Sequence, residues 1–222
     1  MKLYTRISSC VSLLWQFTKV SLQVVYGLWR ISKLSNPIVT IFGGVLFKEH
    51  DFYARQANRL GAMLRKNDIS VITGGGAGIM EAASCGAYVK TSWKGAIIGI
   101  GVRNLKEEMN LCADEQFKLN YFFARKWLLT SYSKAFIVFP GGFGTLNELS
   151  EVLMLIQTQE LPPAPIILIG TEFWEEFLIW TKDEALAHGL ISAADLALFT
   201  ITDDLEDALK IILDTCKLSQ QQ

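Results

Sequence analysis

The chain has 222 residues, half of them hydrophobic and 19% charged, which excludes intrinsic disorder and supplies a full core for one α/β domain. A formal net charge of −1 and a pI near 6.2 exclude a general nucleic-acid binder, whose affinity comes from phosphate neutralisation by Lys and Arg. Cys10, Cys85, Cys112 and Cys216 form no CxxC pair, and His50 and His188 offer no zinc-ligand spacing. These counts predict a reduced, cytoplasmic protein without metal or cofactor.

Residues 1–35 are set apart as an amphipathic helical segment, ahead of a domain at 36–217. No charge falls between Ile7 and Thr18, and only Lys19 and Arg30 follow before Ile31. Val20-Ser-Leu-Gln is a poor cleavage site for a secretory signal. A spanning helix needs about 20 largely apolar residues, and Ser8, Ser9, Ser12, Gln16, Thr18, Lys19, Ser21 and Gln23 interrupt this stretch. Leu14, Phe17, Ser21, Val24, Leu28 and Ile31 follow a helical stripe. It predicts docking on the domain or on a neighbouring subunit; contact with a membrane surface is the less favoured alternative.

After Asn36-Pro37, apolar runs at 38–42, 69–73, 96–100, 135–139, 166–169 and 198–201 predict strands buried on both faces, with an edge strand at 115–119. Helices are predicted at 51–66, from 79, and at 121–132, 145–158, 173–188 and 203–216. In the first of these Phe52, Ala57, Leu60 and Leu64 are expected to face the core. Gly189 stands where a C-cap glycine belongs, a polar connection covers 102–114, and Ser219-Gln-Gln-Gln222 is a short biased tract. Alternating strands and helices predict a Rossmann-like, doubly wound, mostly parallel sheet with helices on both faces.

Three of the predicted strands end in glycine turns: Gly43-Gly44, Gly74-Gly-Gly-Ala-Gly78 and Pro140-Gly-Gly-Phe-Gly144. In such sheets ligands bind at the carboxyl ends of strands where the strand order reverses. Glycines there leave backbone bare, and a following helix N-terminus adds free N–H groups and a positive dipole end. This predicts a phosphate-bearing ligand. Thr145-Leu-Asn-Glu148 also reads as a capping box, a structural alternative to a catalytic role for Glu148. Neither later turn continues as Gly-Lys-Ser/Thr, so triphosphate hydrolysis is not expected. No acidic residue closes the 96–100 strand, so dinucleotide redox chemistry has little support.

With these motifs in view, the chain resembles the LOG family, the cytokinin-activating nucleoside 5′-monophosphate phosphoribohydrolases once labelled lysine decarboxylases. Pro140-Gly-Gly-Phe-Gly-Thr-Leu-Asn-Glu148 matches the Pro-Gly-Gly-x-Gly-Thr-x-x-Glu signature, and Gly74 to Ala82 matches Gly-Gly-Gly-x-Gly-Ile-Met-Glu-Ala. The resemblance runs from about Val39 to Ala208. It implies hydrolysis of the N-glycosidic bond of a purine nucleoside 5′-monophosphate, N6-modified adenosine included, to free base and ribose 5-phosphate. It places Arg125 and Glu148 in the catalytic positions, with Glu148 about 5 Å along the helix from Thr145. Candidate phosphate contacts are Gly74, Gly75, Gly76, Gly78, Lys126, Gly141, Gly142, Gly144 and Thr145; Met80 and Glu81 are candidates for a base pocket. Glu151, three residues beyond Glu148, reads as a second site carboxylate or as a surface charge. Many relatives carry a small residue and an arginine after the first glycine turn, where this chain has Val45-Leu46.

The alternative function is a non-catalytic carrier of a nucleotide or phosphorylated cofactor, which the same loops would serve. A pyridoxal-dependent decarboxylase is not expected, because no lysine falls in a glycine loop. Leu153, Met154, Leu155 and Ile156 exceed what one helix face can bury and predict a homodimer or larger homo-oligomer.

Overall fold

The computed structural model describes residues 2–34, 36–88, 95–103 and 108–218, without the side chains of 2–7 and 218. The segment boundary at Ser35, the inner part of the 102–114 connection and the tract at 219–222 lie outside the described residues. Helices are α1 (Lys2–Ile31), α2 (Phe52–Lys66), α3 (Ile79–Ala87), α4 (Phe122–Thr130), α5 (Phe143–Gln157), α6 (Thr171–Trp180) and α7 (Leu205–Leu218). Strands are β1 (Ile38–Phe42), β2 (Ser70–Thr73), β3 (Ile97–Val102), β4 (Glu115–Leu119), β5 (Ala135–Val138), β6 (Ile166–Ile169) and β7 (Phe199–Thr202). The predicted 173–188 helix is α6 continued by a π-helical turn, Thr181–Leu186.

The strands form one seven-stranded sheet in the order β4-β3-β2-β1-β5-β6-β7, and every pairing is parallel. The order reverses between β1 and β5. Side chains alternate across a strand, so β1 sends Val39 and Ile41 to one face and Ile38 and Phe42 to the other. The first face is covered by α2, α3 and α7, the second by α1, α4, α5 and Trp174 of α6. Right-handed crossovers require this arrangement, because chain progression turns opposite ways on the two sides of β1. α2 and α3 pack with backbone almost in contact: a Cβ on Gly86 would lie 1.8 Å from the Asn58 carbonyl oxygen, and one on Gly61 2.1 Å from that of Ala83.

Four expectations are corrected. Phe52 is 54% exposed and its ring meets Tyr53, since it opens α2 beyond the sheet edge. The apolar stripe of α1 docks only over its C-terminal half: Val20 and Ile31 are buried and Val24 and Leu28 half-buried, but Leu14 and Phe17 are exposed. Gly27 admits Leu128 of α4, and Arg30 grips Glu115 of β4 through two contacts of 2.5 and 2.6 Å. Cys85 and Cys112 are joined in a disulfide, with Cα atoms 4.8 Å apart, so these two are not reduced thiols. Their spacing hid the pairing, because the chain must cross β3 and fold back before Cys112 meets α3. Finally, α5 starts at Phe143 with Gly142 at its N-cap and no side-chain cap bond, so Thr145 and Glu148 are not a capping box.

Candidate active site

The reversal point between β1 and β5 brings the glycine turns together, and Gly44 joins them. Its N–H donates to the Pro140 carbonyl (3.0 Å), and its own carbonyl accepts from Ile79 N–H at the start of α3 (3.1 Å). A Cβ on Gly78, whose φ is +68°, would lie 2.4 Å from the Gly44 oxygen; one on Gly141 would lie 2.9 Å from the Gly44 nitrogen. Close approach of three backbones therefore demands glycine at these positions.

Arg125 and Glu148 meet beside this junction. Arg125, on α4, is buried, and its Nε donates to the carbonyl of Ile100 in β3 (2.9 Å). Its Nη2 lies 3.7 Å from Glu148 Oε1, with side chains 9% and 13% exposed. The guanidinium reaches Glu148 past Gly74, where a Cβ would stand 1.9 Å from Nη2 and 2.7 Å from Met80 Sδ. The absent side chain of Gly74 is thus the passage for Arg125. Lys126 is committed to Glu151 at 2.5 Å, which makes Glu151 the partner of a cation of α4 and not a solvated charge.

The candidate phosphate residues fall into two groups. Gly142 and Gly144 border open space, with no heavy atom within 4 Å of a built Cβ, and Phe143 between them is 92% exposed. Thr145 is buried, and a Cβ on Gly141 would lie 2.1 Å from its Oγ1. The first turn of α5 therefore opens outward, and Glu148 stands roughly 7–8 Å along the axis from Phe143. The Gly74–Gly78 loop is engaged in packing instead. Gly75 N–H donates to Thr73 Oγ1, and the Gly75 and Gly76 carbonyls accept from the N–H and Nδ2 of buried Asn110. Asn110 anchors a strap whose Met109 covers Gly75, Gly99 and Gly101. It is the residue missed from the sequence, where a single asparagine in a polar connection carries no signal.

Met80 and Glu81 do not share a pocket. Met80 turns inward to Gly74, whereas Glu81 is exposed on an open cleft of about 860 Å³ with Phe47, His50, Arg55, Gly78 and Cys85. Neither Arg125 nor Glu148 lines that cleft. Val45 and Leu46 lie at the first turn, with Leu46 85% exposed. Among the described residues no cluster of His, Cys, Asp or Glu has the form of a metal site. No helix among them is long and apolar enough to cross a membrane.

The sequence model of a family described as "Possible lysine decarboxylase", the LOG family, matches residues 80–212, more than half of the chain and the whole of the Arg125–Glu148 site. The chain belongs to the LOG family. Probable cytokinin riboside 5′-monophosphate phosphoribohydrolase LOGL9 of Oryza sativa subsp. japonica is 28% identical over 169 residues, 75% of this chain and 73% of that protein. Cytokinin riboside 5′-monophosphate phosphoribohydrolase of Rhodococcoides fascians is 24% identical over 175 residues, 78% of this chain and 88% of its own. Among solved structures, the molybdenum cofactor binding protein of Rippkaea orientalis superposes with a TM-score of 0.58 at 22% identity, over 82% of this chain and 98% of its own. The molybdenum cofactor carrier protein of Chlamydomonas reinhardtii gives 0.58 at 21%, over 81% and 98%. At these identities the structural likeness shows a shared fold. The LOG-family sheet is therefore common to proteins named as hydrolases and to proteins named as carriers.

Proposed function

We propose that the protein hydrolyses the N-glycosidic bond of a purine nucleoside 5′-monophosphate, releasing free base and ribose 5-phosphate. The observation that carries this reading is the buried Arg125–Glu148 pair, held 3.7 Å apart beside the open N-terminus of α5. A 5′-phosphate seats against the N–H groups around Gly142 and Gly144, and the ribose extends toward Glu148. Bond breaking leaves the electron pair of the C1′–N bond on the base and positive charge on the ribose. The Glu148 carboxylate stabilises that charge and takes the proton of the water attacking C1′; by exchange with solvent a proton reaches the departing base nitrogen, so the neutral base leaves and the carboxylate is restored. Arg125, fixed by the Ile100 carbonyl, holds the carboxylate in place. LOG-family relatives named as cytokinin riboside 5′-monophosphate phosphoribohydrolases support the substrate class, and N6-modified adenosine monophosphates are proposed among the substrates.

Incubation with purine monophosphates and chromatographic detection of free base tests the proposal; nucleotide binding without base release would assign the carrier role. Gly74→Ala supplies a second check. The three atoms nearest its Cβ belong to the side-chain ends of Arg125 and Met80 and not to backbone, so the stability cost is about 1–3 kcal/mol. The guanidinium must nevertheless move, and a displacement of about 1 Å costs on the order of 10²-fold in rate. A Gly74→Ala enzyme with parental turnover would remove Arg125 from the mechanism.

The active species is proposed to be a homo-oligomer. Phe122, Phe123 and Trp127 of α4 and Leu146 and Met154 of α5 are all exposed around the site, more apolar surface than a monomer leaves in contact with water. Light scattering at micromolar concentration is expected to give at least a dimer, and a monomeric mass refutes it.

A further inference from the structure

α1 is apolar on two sides, and docking on the domain uses one of them. The inner side, Val20, Val24, Gly27, Leu28 and Ile31, meets α4 and β4. The opposite side carries Val11, Trp15, Thr18, Leu22, Val25 and Trp29, spaced 4-3-4-3-4. Its five large members are 53–65% exposed, and the Thr18 hydroxyl is turned back to the Leu14 carbonyl. Residues 8–19 are all exposed, so about 18 Å of helix turns most of its surface to solvent, Leu13, Leu14 and Phe17 included, while Gln16 Oε1 accepts from the Tyr121 hydroxyl of the domain at 3.3 Å.

The charge on this segment has one sign. From residue 1 to Lys48 there is no Asp or Glu, while Lys2, Arg6, Lys19, Arg30 and Lys33 all fall in or beside α1. Lys19 Nζ lies 4.9 Å above the Trp15 ring, and Lys33 Nζ 3.3 Å above that of Trp29. Aromatic rings flanked by cations, on a helix with an apolar face too short to span, suit the boundary between acyl chains and anionic headgroups. A second copy of the helix fits less well. The positions flanking the seam, Ser12, Leu14, Lys19, Ser21, Tyr26 and Leu28, supply no acid to pair across a coiled coil, and the charges of two such helices would all have one sign.

We propose that the outer face of α1 is a docking surface for an anionic lipid membrane, lying in its interface and not crossing it. The stripe expected to dock on the domain does so over its C-terminal half, and the stripe left outside is a distinct one.

Flotation of the full chain with lipid vesicles tests this. Binding is expected to vesicles of phosphatidylcholine mixed with phosphatidylserine, to weaken as salt rises, and to be slight with phosphatidylcholine alone. Each cation at the surface contributes about fivefold, so K19Q/K33Q is expected to weaken binding by about 30-fold. W15D/L22D, two exposed positions whose change leaves the fold and its circular dichroism intact, is expected to abolish binding. Absence of flotation with either vesicle, or flotation that survives W15D/L22D, overturns the proposal. So does a result in which W15D/L22D lowers the oligomeric mass while no vesicle is bound, which would assign the face to a second copy.

Discussion

Glu148→Gln is expected to lower turnover at least ~100-fold, the scale of a general acid–base group, with nucleotide binding retained. Gln keeps the shape of Glu148 and a carbonyl oxygen for Arg125 Nη2, 3.7 Å away, but it neither accepts a proton nor balances a developing positive charge. The helix start gives this test its resolving power. Because α5 begins at Phe143 with Gly142 as N-cap, Glu148 lies in the second turn of the helix and not at the third position that a capping box requires. A large fall in melting temperature with turnover preserved would show that the buried pair serves packing alone. Complete truncation is a less clean test, since removing one member of a buried ion pair leaves the other uncompensated at about 3–5 kcal/mol.

The nucleoside is expected to be a far poorer substrate than its 5′-monophosphate. A phosphate at the first turn of α5 takes charge-assisted hydrogen bonds from backbone N–H groups that a hydroxyl cannot replace. Each such bond is worth roughly 1.5–3 kcal/mol, so losing two cuts kcat/KM by about 10² or more. The open surroundings of Gly142 and Gly144, in contrast to the packed Gly74–Gly78 loop, assign that loss mainly to the Pro140 turn. Comparable kcat/KM for nucleoside and monophosphate, measured by base release, would show that these glycines shape the chain and bind no phosphate.

The sheet was legible in the sequence because its strands are buried on both faces. Ile38–Phe42 and Ile166–Ile169 are unbroken apolar or β-branched runs that end where the backbone turns. Glu148 was legible as a candidate through the Pro140–Glu148 signature, and Arg125 through the wider resemblance to the LOG family. Their geometry was not, since it depends on Gly74 leaving room and on Ile100 offering a carbonyl, partners 51 and 25 positions from Arg125. The capping box failed for a local reason: [ST]-x-x-E fits a helix start, but Gly142 provides the extended entry three residues before Thr145, so the helix is already under way there. The Cys85–Cys112 bridge and Asn110 were invisible because both depend on how the segment after β3 returns over the sheet. On α1, periodicity showed that an apolar stripe exists and could not say that a second one lies opposite.

Gly44 has a consequence for how this site can diversify. It ties the Pro140 turn to the start of α3 with its own N–H and carbonyl alone, so the joint is indifferent to neighbouring side chains. Val45 and Leu46, just beyond it, point outward, Leu46 almost fully. Residues at the tip of the first turn are thus free to change charge and bulk without loosening the frame that holds Glu148. Val45-Leu46, standing where the family resemblance implies an arginine, occupies such a tip.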